Sequence, residues 1–260
     1  MNTCAVILAG GEGKRMLSEM PKPLSKVLDK PMLQWVIGSL KGADVNNICL
    51  VKGYKKEYID EFVSTLPFEV ATVFQAERLG TGHAVMQAKD FLKENKGSVV
   101  ILNGDAPFMD TQTIKESFEY HKENNCCATV ISAKVNDPTG YGRIVRDENG
   151  NVKAIVEQKD ADEETLKIDE VNSGGFWFET EMLLSVLDKI KSNNKAGEYY
   201  LPDALKLLLE EGNKVGAFVA KSSDTVLGAN DPAQLEELNQ FAIKKGYNCT
   251  LDILSVINFY

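Results

Sequence analysis

Over the first half of the chain, short apolar runs alternate with amphipathic stretches of about a dozen residues, and this alternation constrains the fold more than any other feature. Cys4 to Leu8, Asn47 to Val51, Phe68 to Phe74 and Val99 to Leu102 read as strands. Between them, Pro31 to Leu40 places Met32, Trp35, Val36 and Leu40 at helical spacing behind a first-turn proline. Tyr54 to Leu66 gathers Tyr58, Ile59, Phe62 and Val63 on one side, and Gly82 to Lys93 forms a further predicted helix. Strands alternating with helices imply right-handed βαβ crossovers and a mostly parallel, Rossmann-like sheet flanked by helices, an α/β fold. Ligands of such sheets bind beyond the carboxyl ends of the strands. Three segments follow strands at those ends: a glycine loop after Leu8, the loop Gln75 to Thr81, and Asp105.

The character changes further on. A helix from about Asp110 to Asn125 leads to a strand, Ala128 to Ala133. Tyr141 to Arg146 and Asn151 to Glu157, around Asp147-Glu148-Asn149-Gly150, predict a β-hairpin. An acidic loop or short helix (Lys159 to Glu170), a strand (Ser173 to Phe178), helices Glu181 to Ile190 and Pro202 to Glu211, and a strand (Val215 to Ala220) follow. Asp231-Pro232 caps a last helix running to about Lys244. No linker, repeat or low-complexity segment interrupts the chain. Its 260 residues suit one α/β domain, or one with a small appendage.

In the glycine loop, Gly10, Gly11 and Gly13 let backbone N–H groups converge on a phosphate at close range. Lys14 and Arg15 follow, and Lys22 lies between Pro21 and Pro23, completing a cradle for polyphosphate. Met16 stands where a dinucleotide fingerprint has its third glycine, and no Gly-Lys-Ser/Thr closes a P-loop. An ordinary tight turn is the other reading of this stretch. Asp105, in Gly104-Asp105-Ala106-Pro107, suits a Mg²⁺ ligand opposite the cradle, or a plain turn aspartate. Gln75 ahead of Gly80-Thr81-Gly82 suits a base edge, or a polar turn. His83 reads as a packing or capping residue, and Trp35, Phe176, Trp177 and Phe178 as core.

The net charge of −9 argues against a nucleic-acid partner. No apolar run approaches the roughly 20 residues needed to span a bilayer. The chain enters its first strand without a basic region, apolar core and cleavage site, so the expected location is cytoplasmic. Five cysteines without a C-x-x-C pair read as buried free thiols, and two histidines exclude a histidine-rich metal site.

Taken together, these motifs resemble the bacterial N-acetylglucosamine-1-phosphate uridylyltransferases, within the wider sugar-nucleotidyltransferase superfamily. The resemblance covers about residues 4 to 245. It rests on Leu8 to Met16, Pro21-Lys22-Pro23-Leu24, Gln75 to Ala84, Gly104-Asp105-Ala106-Pro107, Asp137 to Ile144, Ile155 to Asp160, Glu170 to Gly174, and Gly197-Glu198-Tyr199-Tyr200-Leu201. It implies the nucleotide-diphospho-sugar transferase fold, with a nucleotidyltransferase domain over 1–245 and a β-rich sugar-binding portion from about 135 to 230. It implies that Leu8, Ala9, Gly10 and Gly11 hold the nucleotide with Asn103, and that Gln75, Gly80 and Thr81 read uracil. By the same resemblance Arg15 and Lys22 are catalytic and contact phosphates, while Asp105 and Asn230 bind Mg²⁺. Gly142, Glu157 and Asn172 would line the sugar pocket, where hydroxyls and an acetamido group need both acceptors and donors.

The implied reaction joins UTP and N-acetylglucosamine-1-phosphate to give UDP-N-acetylglucosamine and pyrophosphate. Other sugar-1-phosphates (glucose, N-acetylgalactosamine) and a catalytically idle nucleotide-sugar-binding protein are the alternatives. Lys14, Asn103 and Pro202 depart from the threonine, tyrosine and threonine usual in the family. Residues 246–260 read as a tail without the hexapeptide repeats of the family's acetyltransferase domain, so that activity and its trimer are not carried over.

Overall fold

The strand β1 (Thr3–Ala9) is covered on both faces, as its unbroken apolar run requires, and everything else is arranged about it. The structure, a computed structural model, describes residues 2–247. In chain order the further strands are β2 (Lys26–Val27), β3 (Lys30–Pro31), β4 (Asn47–Lys52), β5 (Ala71–Phe74), β6 (Ser98–Asn103), β7 (Ala128–Lys134), β8 (Arg143–Arg146), β9 (Val152–Val156), β10 (Glu170–Glu179) and β11 (Val215–Val219). The helices are α1 (Met32–Gly42), α2 (Lys56–Ser64), α3 (Thr81–Gln87), α4 (Lys89–Glu94), α5 (Thr111–Glu123), α6 (Glu163–Leu166), α7 (Thr180–Leu187), α8 (Pro202–Glu210) and α9 (Pro232–Lys245).

The main sheet has the order β11-β7-β10-β6-β1-β4-β5. Its half β6-β1-β4-β5 is parallel, as the alternation predicts, and β11 is parallel to β7. Between these sets β10 runs antiparallel to both β6 and β7 and carries the hairpin β8–β9 on its early residues. The β-rich portion is therefore threaded into the main sheet and shares its core.

Side-chain alternation along the strands builds two apolar layers. Val6, Val99, Ile101, Phe176 and Phe178 join Val85, Leu92, Leu183 and Leu205 on one face. Ile7, Val100, Leu102 and Trp177 join Leu33, Val36, Ile37 and Ile114 on the other. A smaller cluster (Val27, Met32, Phe108, Leu238, Ala242) fixes α9 against α1, with Phe108 stacked 4.8 Å from Tyr247. Asp110 and Asp231 cap α5 and α9 by accepting from Thr113 N and Gln234 N, each at 2.8 Å.

Several boundaries differ from the sequence reading, among them the helix expected to Ile190, which ends at Leu187, and three others that bear on the core. The helix expected over Gly82 to Lys93 breaks at Ala88, whose amide bonds to Val85 O three residues back at 2.9 Å. The strand expected from Phe68 starts at Ala71, because β5 is an edge strand whose only pairing, with β4, begins at Cys49 opposite Ala71. The strand expected from Ser173 starts at Glu170 and passes an irregularity between Asn172 and Gly175. Cys4, Cys49 and Cys126 are buried free thiols and Cys127 is half-buried; burial pushes Cys4 and Cys49 up to about 12. Cys249 and the expected tail beyond Tyr247 lie outside the described residues. Among the described residues no helix is long and apolar enough to cross a membrane.

Candidate active site

Two cavities, of about 640 and 390 Å³, open at the carboxyl ends of β1 and β6 and share Leu8, Lys22, Thr81, Asn103 and Asp105, so they form one crevice. Every sequence-predicted site residue except Ala9 and Arg15 lines it. Ala9 is fully buried in β1. Arg15 is exposed on a 3₁₀ turn (Lys14–Met16) and lines neither cavity.

The glycine loop is shaped by close backbone approach. A Cβ on Gly53 would lie 2.6 Å from Gly10 O, and Tyr54 N donates to that same carbonyl at 3.1 Å. Gly13, at φ 59°, folds the loop onto Lys22. Glu12 and Arg78 form an ion pair at 2.8 Å that ties the glycine loop to the loop after β5.

That second loop is strapped down from the far side of the sequence. Tyr199 N donates to Leu79 O and Gly82 N to Tyr199 O, both at 2.7 Å, while Thr81 Oγ1 accepts from Leu201 N at 2.9 Å. Gly80, at φ 111°, admits the Tyr199 backbone where a Cβ would meet it at 2.6 Å. The Gly197 to Leu201 motif thus shapes the neighbouring loop through its backbone. Gln75 is buried, with Nε2 donating to Gly80 O at 3.2 Å and lying 3.0 Å from His83 Nδ1.

At the junction of the two cavities, the Lys22 ammonium pairs with Asp105 Oδ2 and donates to Asn230 Oδ1 at 2.7 Å. Gly228 lets the strand-to-helix connection pass Asp105, since a Cβ there would lie 2.9 Å from Asp105 O. A carboxylate oxygen and an amide oxygen from segments 125 positions apart in the chain (105 and 230) therefore converge on one cation, the ammonium.

On the larger side, Gly142, Glu157 and Asn172 meet. Asn172 N donates to Gly142 O at 2.8 Å, and a Cβ on Gly142 would sit 3.0 Å from Glu157 Oε1. The Asn172 side chain hydrogen-bonds Glu157, yet burial above all, then the charges of Asp160, Asp203 and Glu198, push the Glu157 carboxyl above the ordinary range. Buried Arg143 holds the adjoining loop, donating to Tyr141 O and, at 2.9 Å, to Gln158 Oε1, which also accepts from Gly140 N.

Some lining residues escaped the sequence reading. Gln234, Glu237, Leu238 and Phe241 wall the larger cavity from α9. Their spacing of three, four and seven marks one helical face, the signal that could have found them. The Glu12–Arg78 pair left no such signal, because the two residues belong to different loops.

Residues 4–232 match the nucleotidyl transferase family. The chain is 46% identical over 237 residues to the bifunctional protein GlmU of Clostridium botulinum (strain Loch Maree), covering 91% of this chain and 51% of the relative. It is 47% identical over 240 residues to that of Clostridium beijerinckii, covering 92% and 52%. The chain thus spans about half the length of the curated relatives it matches. A UDP-glucose pyrophosphorylase solved with UDP-glucose shares the fold, with a TM-score of 0.78 at 18% identity over 94% of this chain and all of that one.

Proposed function

The chain belongs to the nucleotidyl transferase family, and we propose that it transfers UMP from UTP to N-acetylglucosamine-1-phosphate in the cytoplasm, giving UDP-N-acetylglucosamine and pyrophosphate. The observation that carries this reading is the convergence of a glycine loop, the buried Gln75 amide and the Gly142–Glu157–Asn172 group on one crevice around Lys22 and Asp105. The likeness to the two GlmU proteins over nine-tenths of the chain supports the choice of sugar over glucose.

In this reading the sugar phosphate's oxygen attacks the α-phosphorus of UTP in line, and pyrophosphate leaves. No side-chain nucleophile is needed; holding both substrates in line and balancing charge supply the acceleration. Leu8, Gly10 and Gly11 hold the nucleotide with Asn103, while Gln75, Gly80 and Thr81 face the base. Glu157 and Asn172 accept from and donate to the sugar. Lys22, and Arg15 once its exposed side chain turns inward, contact the phosphates.

Asp105 and Asn230 would hold Mg²⁺. Their oxygens already share a positive charge, the Lys22 ammonium, and the set suits a hard ion that keeps waters and substrate phosphates as its other ligands. When bound, the ion would neutralise charge on the phosphates.

The test is pyrophosphate release over a matrix of nucleoside triphosphates and sugar-1-phosphates. UTP with N-acetylglucosamine-1-phosphate should give the highest kcat/KM. Equal use of glucose-1-phosphate would remove the sugar assignment, and no release with any pair would remove the reaction.

A further inference from the structure

The Gln75 amide that faces the base has its own support, and that support dictates which edge it can read. Gln75 is buried, and its Nε2 lies 3.2 Å from Gly80 O and 3.0 Å from His83 Nδ1. A backbone carbonyl only accepts, so the atom facing Gly80 O has to be the amide NH₂. Both Nε2 hydrogens are then committed, one to Gly80 O and one to His83, and the ring nitrogen receiving the second must be unprotonated. His83 is therefore neutral, with its proton on Nε2. The oxygen Oε1 remains, lying over the glycine loop, where a Cβ on Gly10 would come within 3.1 Å of it. Gln75 and Gly10 both line the smaller cavity.

The opposite arrangement puts the proton on Nδ1 and turns the Gln75 amide over. It would set Oε1 against Gly80 O, two acceptors facing each other at a buried side chain that cannot turn away. Its only gain is at the other ring nitrogen, where Gln87 Nε2 lies 3.3 Å from His83 Nε2 while also donating to His83 O at 3.0 Å. Gln87 is only half-buried and can turn its amide toward water, so the conflict is relieved there and not at Gln75.

We infer that His83 is a positioning residue for base selection: it holds the Gln75 amide with its NH₂ inward, so that the crevice offers the base a lone acceptor, Oε1. This rests on the uridylyltransferase reading above. An acceptor pairs with the N3–H of uracil and opposes N3 of cytosine, itself an acceptor. The amide does not supply donor and acceptor together, because its donors are spent inside the protein.

The experiment measures UTP and CTP binding by calorimetry, without sugar phosphate, for the native chain, His83→Phe and His83→Asn. Phenylalanine keeps the ring without an acceptor; asparagine can place its carbonyl oxygen near the Nδ1 position. His83→Phe should lower the UTP:CTP affinity ratio about 10-fold, mainly through weaker UTP binding, and His83→Asn should recover most of it. The affinity for the sugar phosphate should not change. An unchanged ratio in folded His83→Phe, or native binding of CTP as tight as UTP, overturns the inference. Should the variant not fold, ¹⁵N spectra of histidine-labelled native protein decide, since the chain has only two histidines, His83 and His121. A pyridine-type Nδ1 at His83 supports the proposal and a pyrrole-type Nδ1 refutes it. That spectrum stands even if no sugar phosphate proves to be a substrate, so the two readings fail separately.

Discussion

Lys22→Met should make the resting protein a better metal binder and a worse enzyme. The ammonium of Lys22 lies between Asp105 and Asn230, with 14% of the lysine side chain and 26% of the aspartate exposed. A divalent ion that uses those two oxygens has to displace it. A hydrogen bond to a charged group is worth about 1.5–3 kcal/mol, and with most of both side chains out of water only part of that is screened away. Without nucleotide, the displaced ammonium has no phosphate to move to, so its loss is not recovered. It also repels the incoming ion. Methionine matches the lysine stem in length and carries no charge. Mn²⁺ binding without nucleotide, followed by electron paramagnetic resonance, should therefore tighten about 10- to 100-fold in the variant. Turnover should instead fall by about 10²-fold or more, as for a missing preorganised donor. Equal or weaker Mn²⁺ binding by the variant would refute the argument that the ammonium occupies the ion's place.

Asn172→Ala should raise KM for the sugar phosphate and leave that for UTP nearly unchanged in two-substrate kinetics; the reverse pattern would move Asn172 out of the sugar pocket. For Glu157 the folded-state pKa is raised, so the stability it contributes is full below the ordinary carboxylate range and lost as pH rises through the raised value. Glu157→Gln should then be more stable than the native chain near pH 7 and lose less stability between about pH 4 and 7 in urea titrations, while binding the sugar phosphate less well. Gly174→Ala should cost about 1–2 kcal/mol for its left-handed backbone, and more because its Cβ would run into Asn103 Nδ2. Urea midpoints measure that cost, and nucleotide affinity should fall with it because Asn103 has to move.

Much of this was legible in the chain because parallel βα units are local. Each apolar run announced a strand, each following amphipathic stretch a crossover, and the loops at the carboxyl ends of β1, β5 and β6 had to lie on one edge of the sheet. The glycines at 10, 13 and 80 stand where a Cβ would crowd a neighbour: the Gly53 backbone, the Lys22 side chain and the Tyr199 backbone respectively. What stayed hidden depends on pairings between distant segments. Nothing near Glu12 names Arg78 as its partner, and nothing near His83 shows that its ring nitrogen meets Gln75. Arg15 stands in the motif yet points its charge to solvent, because the 3₁₀ turn that buries Met16 leaves Arg15 on the outer side.

The strand β10, whose start lies three residues before the expected Ser173, is also the one that joins the two halves of the crevice. It runs antiparallel to β6 with Phe176 opposite Ile101, so its earlier residues pass beyond the carboxyl end of β6, beside Asn103 and Asp105. There the strand advances three residues, from Asn172 to Gly175, while β7 advances one. Gly174, at φ 79°, absorbs the excess, and its N–H donates to Asn172 Oδ1 at 2.8 Å. A regular strand would have continued the ladder at this point and filled the space with a side chain. The irregularity instead opens room for the Asn103 amide on one side and fixes Asn172 toward Gly142 and Glu157 on the other. Asn103 lines both cavities and Asn172 only the larger, so the bulge lies on the boundary between them. A single unbroken parallel sheet would have offered loops at one edge but no wall for the larger cavity, and it is the antiparallel insertion of β10, through Asn172, Gly174 and Phe176, that supplies that wall.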